Sequence, residues 1–175
     1  MPWRGMASGA WKGPCAAPKP WRSACWRSSC SYAAMLIAAD PHTMLHARTS
    51  GRSHAEACAQ LEASCRRHGY GVLGSHNVAE TLRSKGLPFA GESRIYEICH
   101  PGHAAAILAA DPLLAAALPC RIAVSNSNGT TRLSMLSPQQ LLAGLSGDSP
   151  GAAAHQATAA QVEAETLAIL NEAAG

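Results

Sequence analysis

Asn128-Gly129 constrains this chain more than any other pair of residues. It separates two short runs rich in β-branched and aliphatic residues, 121–125 and 130–136, with Asn126-Ser127 leading into it. Asn-Gly between such runs is the strongest short-range hairpin signal, because both central residues of the tight turn need positive φ. An antiparallel pair is therefore fixed late in the chain, and the elements before it have to be arranged around that pair.

Those elements alternate. Residues 43–49 read as a first strand. Ser53 followed by Glu56 has the form of a capping box, and it opens a helix running to about His68. On that helix Cys58, Leu61 and Cys65 fall on one face, and Gly69 ends it. Residues 70–76 read as a second strand, interrupted by glycine. Asn77 caps a short helix through Lys85, stopped by Gly86 and Pro88. Residues 92–99 alternate cleanly, with Arg94, Tyr96 and Ile98 on one face and Ile95, Glu97 and Cys99 on the other. Pro101 then starts a helix to about Ala110, at a position where its missing N–H costs nothing. Asp111-Pro112 opens a short alanine-rich turn. After the hairpin, Ser137-Pro138 begins a helix through Gly144, residues 147–151 form a loop, and a last helix spans 152–173. This order predicts an α+β fold: a mostly antiparallel five-stranded sheet, helices packed mainly on one face, and an additional C-terminal helix. The expected boundaries are an irregular N-terminal tail over 1–40, the α+β domain over 41–146, and the C-terminal helix over 151–174.

The tail differs in kind from the rest. Within residues 1–34 lie all four Trp, three Cys, five basic residues and no acid, with no periodicity. Disorder is the expectation for such a segment, and an initiation at Met35 or Met44 would account for its odd composition. Elsewhere the charge is mild. The formal balance is +3 over 175 residues, and residues 50–175 carry no dense basic face, which excludes nucleic acid as a partner. No apolar run reaches the ~18 residues needed to span a bilayer. Arg22 and Arg27 ahead of residues 33–39 imitate a secretory signal only weakly. Seven cysteines is an odd count, and free thiols in a reducing cytoplasm fit better than a disulfide framework. The apolar fraction is 47% but contains a single Phe, so the core should be aliphatic and thin. Burying one face against a second copy is the natural supplement, and a homodimer is expected.

Chemistry concentrates at Cys99 and Cys120. Cys99 ends one strand, in Ile98-Cys99-His100-Pro101-Gly102-His103, and Cys120 begins another, in Leu118-Pro119-Cys120-Arg121. Were those strands neighbours, both sulfurs would reach one site, with imidazoles beside them. Thiolate and imidazole together serve soft metals and redox exchange. The candidate ligand-binding residues are Cys99, Cys120, His100, His103, Tyr96 and Arg121. As a metal set, Cys99, Cys120 and His103 are weak. Zinc wants four ligands at spacings such as C-x-x-C, and this chain has none, so no metal or other cofactor is assigned. Cys99, next to a Pro-headed helix, is the thiol whose pKa the helix dipole would lower. The plain alternative is that both cysteines are small buried hydrophobes. For Cys58 and Cys65 core packing is the expected role. Arg94, Glu97 and Arg121 read as a charged cross-strand set, or, with Tyr96, as the lining of an anion-binding cleft.

Gly69-Tyr70-Gly71-Val72, Cys99-His100-Pro101 followed by Ala104, Pro119-Cys120, the Asn128-Gly129 hairpin and Ser137-Pro138 occur in an order that resembles the family known as domain of unknown function 302, over roughly residues 43–145. The resemblance implies a small α+β domain that tends to dimerise, and it implies no reaction. The chain departs from the pattern at His100, where Asn is commoner, and in its long front segment.

Three functions compete. The favoured one is a domain that binds or senses a small molecule or thiol-reactive ligand near Cys99 and Cys120. A thiol-dependent redox enzyme or soft-metal-binding protein would need a base touching one sulfur. A purely structural dimerisation module would bury both sulfurs and leave no cavity.

Overall fold

The computed structural model describes residues 44–146 and 152–175. The expected tail, the start at Met35 and the loop at 147–151 lie outside the described residues.

Five strands, β1 (Leu45–Ser50), β2 (Gly71–Asn77), β3 (Glu92–Cys99), β4 (Cys120–Ser127) and β5 (Thr130–Leu136), form one sheet in the order β1-β5-β4-β3-β2. Every neighbouring pair is antiparallel. The hairpin is a two-residue turn: Ser127 pairs with Thr130, and Asn128 and Gly129 take φ of 52° and 77°. Both positive values belong to the turn that matches strand twist, which is why Asn and Gly stand there. Edge strand β2 carries a register irregularity between Val72 and Gly74.

Pleat alternation sorts the sheet into two faces. Ile98, Ile122, Val124, Leu133 and Met135 are buried, while Arg121 and Arg132 are exposed on the opposite side. Two helices cover the buried face. α1 (His54–Arg67) starts at a complete capping box between Ser53 and Glu56 and buries Ala57, Cys58, Leu61, Ser64 and Cys65. α5 (Ala152–Ala174) buries Val162, Thr166, Ile169, Leu170 and Ala173, spaced at one helical face. Glu172 on α5 accepts from Ser64 at 2.7 Å and from Arg67 at 2.8 Å, and contacts His68 at 2.8 Å, which locks α5 to α1. Ser50 donates to the Ala174 carbonyl at 2.7 Å. Ile169, Leu170 and Ala173 share one core with the sheet. The C-terminal helix, expected as an addition to a domain ending at 146, is thus part of the domain's own core.

A second, smaller cluster lies beside the first. It joins Ile107 of α3 (Pro101–Ala110), Leu114 of the 3-10 turn Pro112–Ala117, Leu142 of α4 (Pro138–Ser146) and Ala159 of α5. The short α2 (Val78–Ser84) packs on β3. Among the described residues, α5 alone supplies buried residues to both clusters. Among the described residues, no helix is long and apolar enough to cross a membrane.

Candidate functional site

A cavity of about 240 Å³ opens at the seam between the two clusters. Tyr70, Ile98 and Cys120 reach it from the main core, and Ile107, Leu118 and Leu142 from the smaller one. The fold leaves this space because the β3–α3 and turn–β4 connections both leave the sheet at the same end. Ile98 and Cys120 are register partners there. The chain runs from Cys99 straight into α3, whose face His100, His103, Ala104 and Ile107 lines one wall. The Leu118-Pro119-Cys120 segment and α4 supply others, so the walls are mainly aliphatic with one polar corner.

Five of the six candidates from the sequence line this cavity: Cys99, His100, His103, Cys120 and Arg121. Tyr96 does not. It sits three residues before Cys99 on β3, is buried, and neighbours Cys58 of α1. Tyr70 takes the aromatic place in the cavity instead. The Tyr70 hydroxyl donates to Glu165 Oε2 at 2.8 Å, and His103 Nε2 lies 2.8 Å from the same oxygen. Gln161 donates to Oε1 at 3.1 Å. Desolvation pushes the Glu165 carboxyl up, but these three hydrogen bonds outweigh it and hold its pKa below the usual range. Burial, with the neighbouring carboxylate, drives the Tyr70 pKa upward.

His100 caps α3 without a side-chain hydrogen bond to the helix. Its ring lies 4.4 Å from the His103 ring and 5.4 Å from that of Tyr70, centroid to centroid. Its Nδ1 is buried and has no hydrogen-bond partner among the described residues. Arg121 lines the cavity with its side chain 65% exposed and Nε 3.5 Å from Glu97 Oε1 across the β3–β4 pair. The expected cross-strand charge set reduces to Glu97 and Arg121, joined by His76 at 3.6 Å. Arg94 pairs with Val124 on the face that carries the core, so it belongs to the other side.

Burial decides the state of the sulfurs. It pushes the Cys99 pKa up, and the Cys120 pKa up to about 11, with Cys99 adding to the second shift. The dipole of α3 was expected to lower Cys99; desolvation wins instead, and both thiols are protonated at neutral pH. A thiol–imidazole contact lies elsewhere: Cys58 Sγ is 3.8 Å from His54 Nε2 on α1, with burial raising that thiol too. Cys58, Cys65, Cys99 and Cys120 are all free. Among the described residues, no three His, Cys, Asp or Glu side chains are placed to hold a metal ion.

Tyr70 and Glu165 are the site residues that sequence reading passed over. Tyr70 lay in plain view inside Gly69-Tyr70-Gly71, and its glycine neighbours were the available signal. Glu165 had none, because nothing local ties α5 to the strand ends.

A family model described as domain of unknown function DUF302 matches residues 46–173. A solved structure, that of an uncharacterized conserved DUF302 protein from Bacillus stearothermophilus, is 31% identical in sequence. It superposes with a TM-score of 0.69 over 74% of this chain and 98% of that one. No curated protein matches the chain.

Proposed function

This chain belongs to the DUF302 family, and because that membership brings fold without reaction, we propose a function from the cavity itself: a domain that binds or senses a small ligand between Cys99 and Cys120. One observation carries the reading. An aliphatic space of about 240 Å³ ends in a corner holding both thiols and an imidazole, His100, whose buried Nδ1 has no partner among the described residues. Apolar walls with a few convergent polar groups are the usual form of a small-molecule site. A buried polar atom without a partner costs about 1–3 kcal/mol, which a ligand's hydrogen bond would recover.

The thiols act here as soft, polarisable wall and weak donors. Nucleophilic or redox turnover would need a thiolate, and burial favours the thiol at both positions. A purely structural module would have no use for the cavity. All four cysteines of the described domain being free supports placing the protein in the reducing cytoplasm.

The cavity admits a ligand of roughly eight to ten non-hydrogen atoms. At ~0.3–0.6 kcal/mol per atom, such a ligand binds with Kd on the order of millimolar. Amide NMR of the full chain against a small-fragment library is the fitting test. Hits should move the Cys99, His100 and Cys120 resonances, and Ala104→Phe, which fills the space, should abolish those shifts while the fold persists by circular dichroism. Hits that move only resonances remote from the cavity would refute the reading.

A further inference from the structure

Tyr70, Cys99, His100, His103, Cys120 and Arg121 supply the titratable side chains that line the polar corner. Among the described residues, no Asp or Glu side chain lines the cavity. The two nearby carboxylates are already engaged: Glu165 by Tyr70, His103 and Gln161, and Glu97 by Arg121 and His76. An ammonium ligand would therefore enter a space with no free anionic partner. The donors on that side do have capacity. Arg121 lines the cavity, its side chain is 65% exposed, and of its five N–H groups Nε lies 3.5 Å from Glu97 Oε1. His100 makes no side-chain hydrogen bond to its helix, and the first turn of α3 contains no acidic residue.

Resting on the small-ligand reading, we propose that the ligand is a carboxylate with a short aliphatic body. Its chain packs along Ile107, Leu118 and Leu142, and its head accepts hydrogen bonds from His100 and Arg121. An aliphatic body follows from the walls, and an anionic head follows from the donors. Length is limited by the volume, which suits an acid of about six carbons.

The experiment titrates the full chain with hexanoate, hexan-1-ol and hexylamine, following amide resonances at constant pH and salt. Hexanoate should move the Cys99, His100 and Cys120 resonances and bind at least tenfold tighter than hexan-1-ol, with hexylamine weakest. Arg121→Gln, an exposed change that leaves the fold intact, should weaken hexanoate several-fold and leave hexan-1-ol unaltered. If hexan-1-ol or hexylamine binds at these residues as tightly as hexanoate, the carboxylate preference is overturned while the ligand cavity stands. If Arg121→Gln weakens all three equally, the head-group assignment to Arg121 fails. If none of the three moves the cavity resonances but other fragments do, the carboxylate class is wrong. If no small molecule does, the cavity reading falls with it.

Discussion

The Tyr70 hydroxyl donates to Glu165 Oε2 at 2.8 Å, across 95 positions of sequence. Tyr70 leaves the end of α1 and Glu165 sits in the middle of α5, so one bond ties the cavity's aromatic wall to the C-terminal helix. His103 joins the same oxygen from α3. Three elements meet at a single carboxylate.

Glu165→Ala removes that meeting point and leaves the Tyr70 hydroxyl and the His103 imidazole without their acceptor. Loss of a hydrogen bond to a charged, partly buried acceptor costs about 1.5–3 kcal/mol. Urea unfolding should show a drop of that order with an unchanged m-value, and Glu165→Gln should recover part of it.

Acid should weaken the fold through three glutamates of α5. Glu163 and Glu165 are held below the usual carboxylate range despite desolvation. Ser137, the Gln139 amide and His46 do this for Glu163, and Tyr70, His103 and Gln161 for Glu165. Arg67, His68 and Ser64 pull Glu172 down to about 2. Each native carboxyl binds its proton less readily than the unfolded one. Its contribution is therefore complete above the unfolded pKa and disappears as pH falls through the folded value. Unfolding free energy should decline from about pH 5 downward, and a flat profile between pH 5 and pH 3 would contradict the assignment.

Thiol labelling should be slow and ordered by burial. Cys99 is only partly buried and should react first with iodoacetamide at neutral pH. Cys65 and Cys120, each pushed up to about 11, should lag. Because the thiolate reacts, the rate at Cys99 should climb nearly tenfold per pH unit up to its raised pKa. Peptide mapping that finds Cys58 or Cys65 labelled ahead of Cys99 would reverse the order.

His155 on α5 is 2% exposed, and neither ring nitrogen has a hydrogen-bond partner among the described residues. Buried polar atoms in that state cost stability, and an apolar side chain of similar volume removes the cost. His155→Leu should raise the melting temperature by a few degrees, corresponding to about 1 kcal/mol. A lower melting temperature would mean that the imidazole is satisfied after all.

Self-association is proposed through the open face of the sheet. Leu45 and Leu136 are cross-strand partners, and they stand 50% and 54% exposed. A paired apolar patch of this kind is suited to a second copy. Sedimentation at micromolar concentration should give twice the chain mass, and Leu45→Glu should return it to the monomer. A wild-type chain that sediments only as monomer ends the proposal.

What the sequence disclosed was local. The Asn128-Gly129 turn, the Ser53–Glu56 capping box and the Pro101 helix start each depend on a few adjacent residues, and each formed where expected. The gathering of Cys99, His100, His103, Cys120 and Arg121 was legible only as a condition, that the strands of Cys99 and Cys120 be neighbours, and the pairing of β3 with β4 meets it. Contacts decided by distant packing were not. The glycines beside Tyr70 mark it without saying where its ring goes, and only the assembled fold sends Tyr96 to Cys58 and Tyr70 to the cavity. The membership of α5 in the core rests on Ile169 and Leu170 meeting the sheet, and alanine-rich surroundings concealed it. At Cys99 two opposing effects were both foreseeable, but the depth of burial that decides between them is a property of the assembled fold.

The pairing of β1 with β5 has a kinetic side. Leu45 finds its partner only at Leu136, so the first strand of the sheet waits for the last. During synthesis at ~5–20 residues per second, that wait is on the order of ten seconds. During it β2 and β3 can pair, and β4 can join them shortly before β5 is made, whereas β1 is a strand without a neighbour. Assembly that depends on such distant pairing is slow, and the exposed early strand is where a ribosome-associated chaperone would have most to shield.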